Sequence, residues 1–170
     1  MMVPEIKTIL YATDLSDNSR PAFHYAASLA EKYGAKMTVL HVIEEFGAST
    51  YLQISGYLGE VEWQKLLEDR ENKLLDHVTE RLNEFCSEMN TKLDACKFIL
   101  GNIITKRGIA VEEILKQAKE IDADMIVMGT HGYNAFADAL LGGTARRVVR
   151  RSQIPVLVVR QPETEESTTG

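Results

Sequence analysis

What the chain has little of narrows its class first. It holds two cysteines, four prolines and a single tryptophan in 170 residues. Cys86 and Cys96 stand ten positions apart, with no C-x-x-C pair and no cysteine–histidine pattern at metal-ligand spacing. Neither a zinc site nor a disulfide-built scaffold is indicated, and the expectation is two buried or half-buried free thiols in a reducing compartment. No apolar run approaches the roughly 20 residues that cross a bilayer. The opening Met1-Met2-Val3-Pro4-Glu5-Ile6-Lys7 has no apolar core and no small-residue cleavage site, which predicts a cytoplasmic chain without membrane insertion. Positive charge is also scarce: 19 Lys and Arg face 25 Asp and Glu, a net charge of −6. Such a chain is not an electrostatic binder of nucleic acid or anionic lipid. The Walker and dinucleotide glycine spacings are both absent, and there is no internal repeat.

What is present is an alternation of apolar runs and amphipathic stretches, in a composition 45% hydrophobic and 26% charged. Ile6 to Thr13 is β-branched and mostly apolar, as a strand buried on both faces should be. Asp14-Leu15-Ser16-Asp17-Asn18-Ser19 is rich in helix-capping residues, and Pro21 suits a first turn whose amides lack partners anyway. Phe23, Ala26, Ala27, Leu29 and Ala30 then repeat at helical spacing up to Gly34, which is placed to end the helix. Met37 to Ile43 is a second strand. Residues 44–60 read as a long polar connection with Phe46, Tyr51 and Tyr57, a length that implies a job or local folding. A helix is expected over about 61–90, with Leu67, Leu74, Val78, Leu82, Phe85 and Met89 on one stripe. Phe98-Ile99-Leu100 is a third strand candidate, and Val111, Ile114, Leu115 and Ala118 mark another helix. Asp124 to Gly129 is the clearest strand, about 138–151 reads as a helix, and Pro155 to Val159 as a fifth strand. Residues 1–160 are expected to form a single domain, with 161–170 a disordered polar tail.

Strands alternating with helices predict an α/β fold, a parallel sheet with helices on both faces. Ligands of such sheets sit at the carboxyl ends of the strands, near a switch in strand order. That rule selects Ala12-Thr13-Asp14, Val42-Ile43-Glu44 and the loop from Gly129. The last carries Gly129-Thr130-His131-Gly132 and then Gly142-Gly143-Thr144. Glycines there permit positive φ and close backbone approach, and successive free amides before a helix cradle phosphate oxygens. Thr130 and Thr144 add hydroxyls. Glycines at a strand end also serve simply as turns.

The segment Asp124 to Gly132, continuing to Leu141-Gly142-Gly143-Thr144 and closing with Pro155 to Val159, resembles the universal stress protein family. The opening Ile9 to Ser16 and the run Leu40-His41-Val42-Ile43 match it too, so that the resemblance covers about residues 5–160. It implies a five-stranded parallel sheet in the order 3-2-1-4-5, of the Rossmann-like, adenine nucleotide alpha hydrolase-like type. It also implies a homodimer joined along the last strand. The ATP-binding branch is marked by G-x2-G-x9-G followed by Ser or Thr. Gly129, Gly132 and Gly142 stand at that spacing, while Gly143 occupies the place of the hydroxyl residue. By resemblance, Ala12, Thr13 and Asp14 face the adenosine, the backbone of Val42 reads the adenine edge, and the glycines admit the phosphates. Adenine recognition of this kind accepts ATP, ADP or AMP, and any Mg²⁺ or Mn²⁺ arrives bridging the phosphates.

Other polar residues carry weaker signals. His131 lies among the glycines without a companion acid or base, His41 reads as a core or loop-packing residue, and His24 and His77 have no ligand-spaced partner. Arg146, Arg147, Arg150 and Arg151 suit the carboxyl end of the last helix. No catalytic residue is assigned; slow hydrolysis of a bound nucleotide is compatible with that. Two readings follow. One is a nucleotide-dependent stress-response regulator that signals its state to a protein partner, and the other a dimeric scaffold without nucleotide, which the glycine at 143 favours. The connection 44–60 fits either a cover for the nucleotide or an extension of the dimer surface.

Overall fold

The sheet is built around six residues, Thr8–Thr13 (β1), that hydrogen-bond to a parallel neighbour on each side. The computed structural model describes residues 3–44, 48–88, 102–130 and 141–161. After β1 comes a short 3-10 turn, Asp17–Ser19, then α1 (Arg20–Tyr33), β2 (Lys36–Ile43), α2 (Ala48–Leu58) and α3 (Glu60–Glu88). They are followed by β3 (Ile103–Arg107), α4 (Ala110–Glu120), β4 (Met125–Gly129), α5 (Gly143–Arg151) and β5 (Val156–Val159). All strands run parallel in the order β3-β2-β1-β4-β5, as expected.

Because side chains alternate along a strand, β1 feeds two separate cores. Ile9 and Tyr11 pack on one face with Phe23, Ala26, Ala27 and Ala30 of α1 and with Val78, Leu82 and Phe85 of α3. Leu10 and Ala12 pack on the other with Val111, Ile114 and Ala118 of α4 and with Ala145 and Val148 of α5. Phe85 is fully buried, and its truncation to Ala would cost about 3–5 kcal/mol. α1 begins with Pro21 in its first turn and ends at Gly34, whose φ of 61° is left-handed, as a glycine terminator requires.

Three expectations are corrected, and a fourth falls outside the described residues. Residues 48–58 of the supposed connection are helical: α2 buries none of its side chains and instead leans Tyr51 on Trp63 of α3, ring centroids 5.9 Å apart and edge to face. The Tyr51 hydroxyl also donates to Glu60 Oε1 at 2.9 Å. The third described strand is Ile103–Arg107, whereas Phe98-Ile99-Leu100 lies outside the described residues, as do Phe46 and Met89. As an edge strand, β3 tolerates Lys106 and Arg107, charges that disguise it in the sequence. The last helix starts at Gly143 rather than near 138, because Leu141 and Gly142 are not helical and the N-cap is Gly142 at ψ 157°. Cys86 is disulfide-bonded, not a free thiol. It lies in the last turn of α3, on the core face and 4% exposed, and a ten-residue spacing is within easy reach of loop closure. Its only possible partner within the chain, Cys96, falls outside the described residues, as do 162–170 of the tail.

Two expected outcomes follow from this packing. In the intact protein, Cys86 should resist iodoacetamide under denaturing, non-reducing conditions and become carbamidomethylated only after a reductant, read by peptide mass. A Cys86 alkylated without reductant would mean the thiol reading was right. The Tyr11 hydroxyl, which donates to the Ser19 carbonyl at 3.0 Å, is held neutral by burial, its pKa pushed up to about 12. Between an unfolded value of about 10 and that value the native state keeps a proton that the unfolded state has lost. Stability therefore falls as pH rises from about 10 to 12, and Tyr11→Phe, measured by urea unfolding, should show a shallower fall over that window.

Candidate functional site

The carboxyl edge of the sheet gathers the ends of β1, β2 and β4 and the beginning of α5. At the end of β1 the backbone leaves the sheet through Leu15, whose φ of 65° is left-handed and unfavourable for a branched side chain. A set of hydrogen bonds holds it there. Thr13 Oγ1 accepts from the Leu15 amide and donates to Ser19 Oγ, both at 3.0 Å. Ser19 Oγ in turn donates to the Ser16 carbonyl at 2.7 Å. From α3, Arg81 donates to Asp17 Oδ1 at 2.7 Å and stacks on Phe85, 5.1 Å from the ring centroid. Arg20 of α1 reaches the same carboxylate at 2.9 Å and the same ring at 5.4 Å. The Arg81 guanidinium beside Asp17 holds its carboxyl below the usual range. Asp17 is exposed, so these pairs contribute geometry more than energy.

Asp14 sits inside this loop, half-buried. Its Oδ1 accepts from the Ser16 amide at 3.0 Å and the Ser16 hydroxyl at 2.7 Å. Its Oδ2 is buried and takes no hydrogen bond. A carboxylate oxygen in that state is costly unless something donates to it. From β2, the His41 ring lies over the same junction, Nδ1 at 3.0 Å from the Thr13 carbonyl. Burial pushes the imidazole pKa down, against the smaller upward pull of that carbonyl and of Asp14. Asp14 and Val42 lie at strand ends on neighbouring strands, Thr13 being paired in register with His41.

The second half of the site follows β4. Thr130 is 8% exposed, its amide donating to the Val159 carbonyl at 3.1 Å. Its own carbonyl accepts from the Gly142 amide at 2.7 Å, which pins the start of α5 against the end of β4. No side chain caps α5. Its first amides, from Gly143 onward, have no partner within the helix and carry the positive end of its dipole. A Cβ built on Gly143 would meet nothing within 4 Å.

The expected site residues thus divide. Asp14, Val42, Gly129, Thr130, Gly142, Gly143 and Thr144 all lie at the carboxyl edge. Ala12 points its side chain into the core beneath α4 and α5, so only its backbone can face a ligand, and the Thr13 hydroxyl is committed within its own loop. Gly132 and His131 lie outside the described residues. Left-handed backbone is not what Gly142 and Gly143 supply: Gly142 has φ −61°, and Gly143 is helical. What they offer is the missing Cβ. Arg146 and Arg147 stand in the first half of the shorter helix, leaving Arg150 and Arg151 to complement its carboxyl end, where Arg151 pairs with Glu112 of α4. Sequence reasoning missed Arg81, Arg20 and Ser19 as supports of the Asp14 loop. Only the capping character of Ser16 and Ser19 hinted at them.

Known proteins agree with this architecture over nearly its full length. The model of the Universal stress protein family matches residues 5–160. Universal stress protein MJ0577 of Methanocaldococcus jannaschii is 32% identical over 155 residues, 91% of this chain and 95% of that protein. Universal stress protein A homolog 2 of Coxiella burnetii is 33% identical over 155 residues, covering 91% and 94%. The solved structure of MJ0577 superposes with a TM-score of 0.59 at 28% identity, covering 95% of this chain and all of that one (100%). Universal stress protein UspA from Lactobacillus plantarum shares the fold at a TM-score of 0.67 and 24% identity, covering 93% of this chain and 100% of the other. With matching strand order and end-to-end coverage in both sequence and structure, the chain belongs to the universal stress protein family.

Proposed function

We propose that this protein binds ATP, or the related ADP or AMP, at the carboxyl edge of its sheet and acts as a nucleotide-dependent regulator of a stress response. The observation that carries the reading is Asp14 Oδ2, a buried carboxylate oxygen without a donor, at the strand end where a ribose hydroxyl would supply one. The uncapped start of α5 suits the phosphates, with the amides of Gly143 and Thr144 as donors and the Thr144 hydroxyl beside them. The spacing of Gly129, Gly132 and Gly142 supports the same assignment. Mg²⁺ or Mn²⁺ would enter with the phosphates; among the described residues no group of acidic or imidazole side chains is arranged to hold a metal by itself.

The wider reading is of a cytoplasmic homodimer that passes its nucleotide state to a protein partner. β5 supports the dimer: it is an edge strand whose Val156, Leu157 and Val158 stay only half-buried. No described helix is long and apolar enough to cross a membrane. The proposed role is binding rather than turnover.

The experiment is isothermal titration of the purified protein with ATP, with and without Mg²⁺, after bound nucleotide has been sought by mass. Micromolar or tighter binding is expected, and its absence would overturn the reading in favour of a protein–protein scaffold. Asp14→Asn keeps an oxygen for Ser16 but turns the orphan position into a donor, and should weaken ATP by about tenfold or more. An unchanged affinity would remove Asp14 from the ribose. Gly143→Ser restores a hydroxyl into open space and should tighten ATP by about tenfold, since a hydrogen bond to a charged oxygen is worth about 1.5–3 kcal/mol. No gain would mean that Thr144 already fills that role.

A further inference from the structure

We propose that His41 is a positioning residue of the adenosine subsite: its ring locks the end of β2, which carries Val42, to the peptide that sets Asp14. The inference rests on the nucleotide reading and adds to it the group that holds the two adenosine-facing strand ends in register.

The argument begins with the atom His41 touches. The Thr13 carbonyl belongs to the Thr13–Asp14 peptide plane, which is rigid, so fixing that oxygen fixes the direction in which the Asp14 backbone departs. β1 ends at Thr13, which is paired in register with His41, so the Thr13–Asp14 peptide carries the last rung of the β1–β2 ladder and the His41 ring adds a second tie to it. The Thr13 hydroxyl is spent on Leu15 and Ser19, and Asp14 Oδ1 on Ser16. Those bonds shape the loop downstream of Asp14, through Leu15 to Ser19. The 3.0 Å contact from His41 Nδ1 is the side-chain bond that acts upstream, on the peptide before Asp14. It also comes from a different strand.

The contact fixes the imidazole as well. A carbonyl can only accept, so Nδ1 carries the proton in the neutral ring and Nε2 is the bare nitrogen. Burial keeps the ring in that neutral form, with Asp14 at the end of β1 and His77 on α3 as the titratable groups that act on it. His41 is the residue immediately before Val42, so the strand end that would offer its backbone to adenine and the carboxylate that would meet the ribose are joined through this ring in addition to the sheet ladder. Loss of that bond would leave Asp14 held by Ser16 and by the ladder alone, with its upstream peptide less firmly set, and the cost would fall on the adenosine half of a nucleotide.

The test uses the full chain and three variants, titrated with ATP and with AMP, with the thermal unfolding midpoint measured for each. His41→Asn places its side-chain amide nitrogen the same number of bonds from the backbone as Nδ1 and can still donate to Thr13. His41→Leu cannot donate, and His41→Gln moves the amide one bond outward. H41L and H41Q should each weaken ATP and AMP by a common factor of about five to ten, the worth of one positioning hydrogen bond, while H41N stays within about twofold of wild type. If H41L does not fold, the contrast between H41N and H41Q decides. The proposal is overturned if H41N is as weak as the other two, if H41L or H41Q bind like wild type, or if ATP weakens while AMP does not. A wild-type protein that binds neither nucleotide would overturn the nucleotide reading itself, before any variant is compared.

Discussion

The central strand is where the molecule is most constrained. β1 is buried on both faces and paired on both edges, so each residue from Ile9 to Ala12 is committed to a core or to a ladder. From β1 the chain builds outward through β2 to β3 on one side and later through β4 to β5 on the other. The helices that follow β1 and β4, α1 and α5, pack on opposite faces of the sheet, so the switch in strand order falls between the ends of these two strands. Asp14 follows the end of β1, and Thr130, with the start of α5 tied to its carbonyl, follows the end of β4. Burial and strand order bring these residues to one edge before any polar contact is considered.

Polar side chains then decide its shape. The turn after β1 contains a leucine in a left-handed conformation, which costs about 1–2 kcal/mol relative to ordinary backbone. Thr13, Ser16 and Ser19 hold that turn from within, and Arg81 and Arg20 grip it from two helices while stacking on the buried Phe85. The long α3 thus does more than cover the sheet: it carries into the loop a cation whose position is set by an aromatic core residue. Arg107 of β3 repeats the device further along the same helix, donating to the Leu67 carbonyl at 3.0 Å and to Glu71 at 3.1 Å.

How much of this is legible in the sequence depends on what kind of force makes it. The strands at 8–13, 36–43, 125–129 and 156–159 are mostly apolar runs, those of the sheet centre because both faces are buried, and α1 and α3 announce themselves by helical apolar spacing. β3 escapes because an edge strand need not be apolar throughout, so Lys106 and Arg107 break its pattern. α2 escapes because nothing in Ala48–Leu58 is charged, capped or periodic; what ties it down is Tyr51, on the Trp63 ring and to Glu60, a tertiary fact. The places of Asp14, Gly129, Gly142 and Gly143 at the carboxyl edge follow from the strand ends and are readable. The orphan oxygen, the His41 bond and the Arg81 grip depend on side-chain direction, which spacing does not encode. The bonded state of Cys86 was misread for a related reason: compartment, not geometry, supplied the expectation.

Gly143 separates what the fold requires from what a ligand would require. A glycine in the first turn of a helix weakens it by up to about 1 kcal/mol relative to Ala, so its presence needs an explanation outside helix propensity. Backbone conformation offers none, since the residue is helical, and the packing of the described residues offers none, since a Cβ there would meet none of their atoms within 4 Å. The neighbouring Gly142 is different: its amide is tied to Thr130, and its carbonyl accepts from Arg146 at 3.0 Å as the helix begins. The choice between glycine and serine at this position therefore leaves the described fold nearly indifferent, and what the glycine serves is to be sought outside backbone and packing.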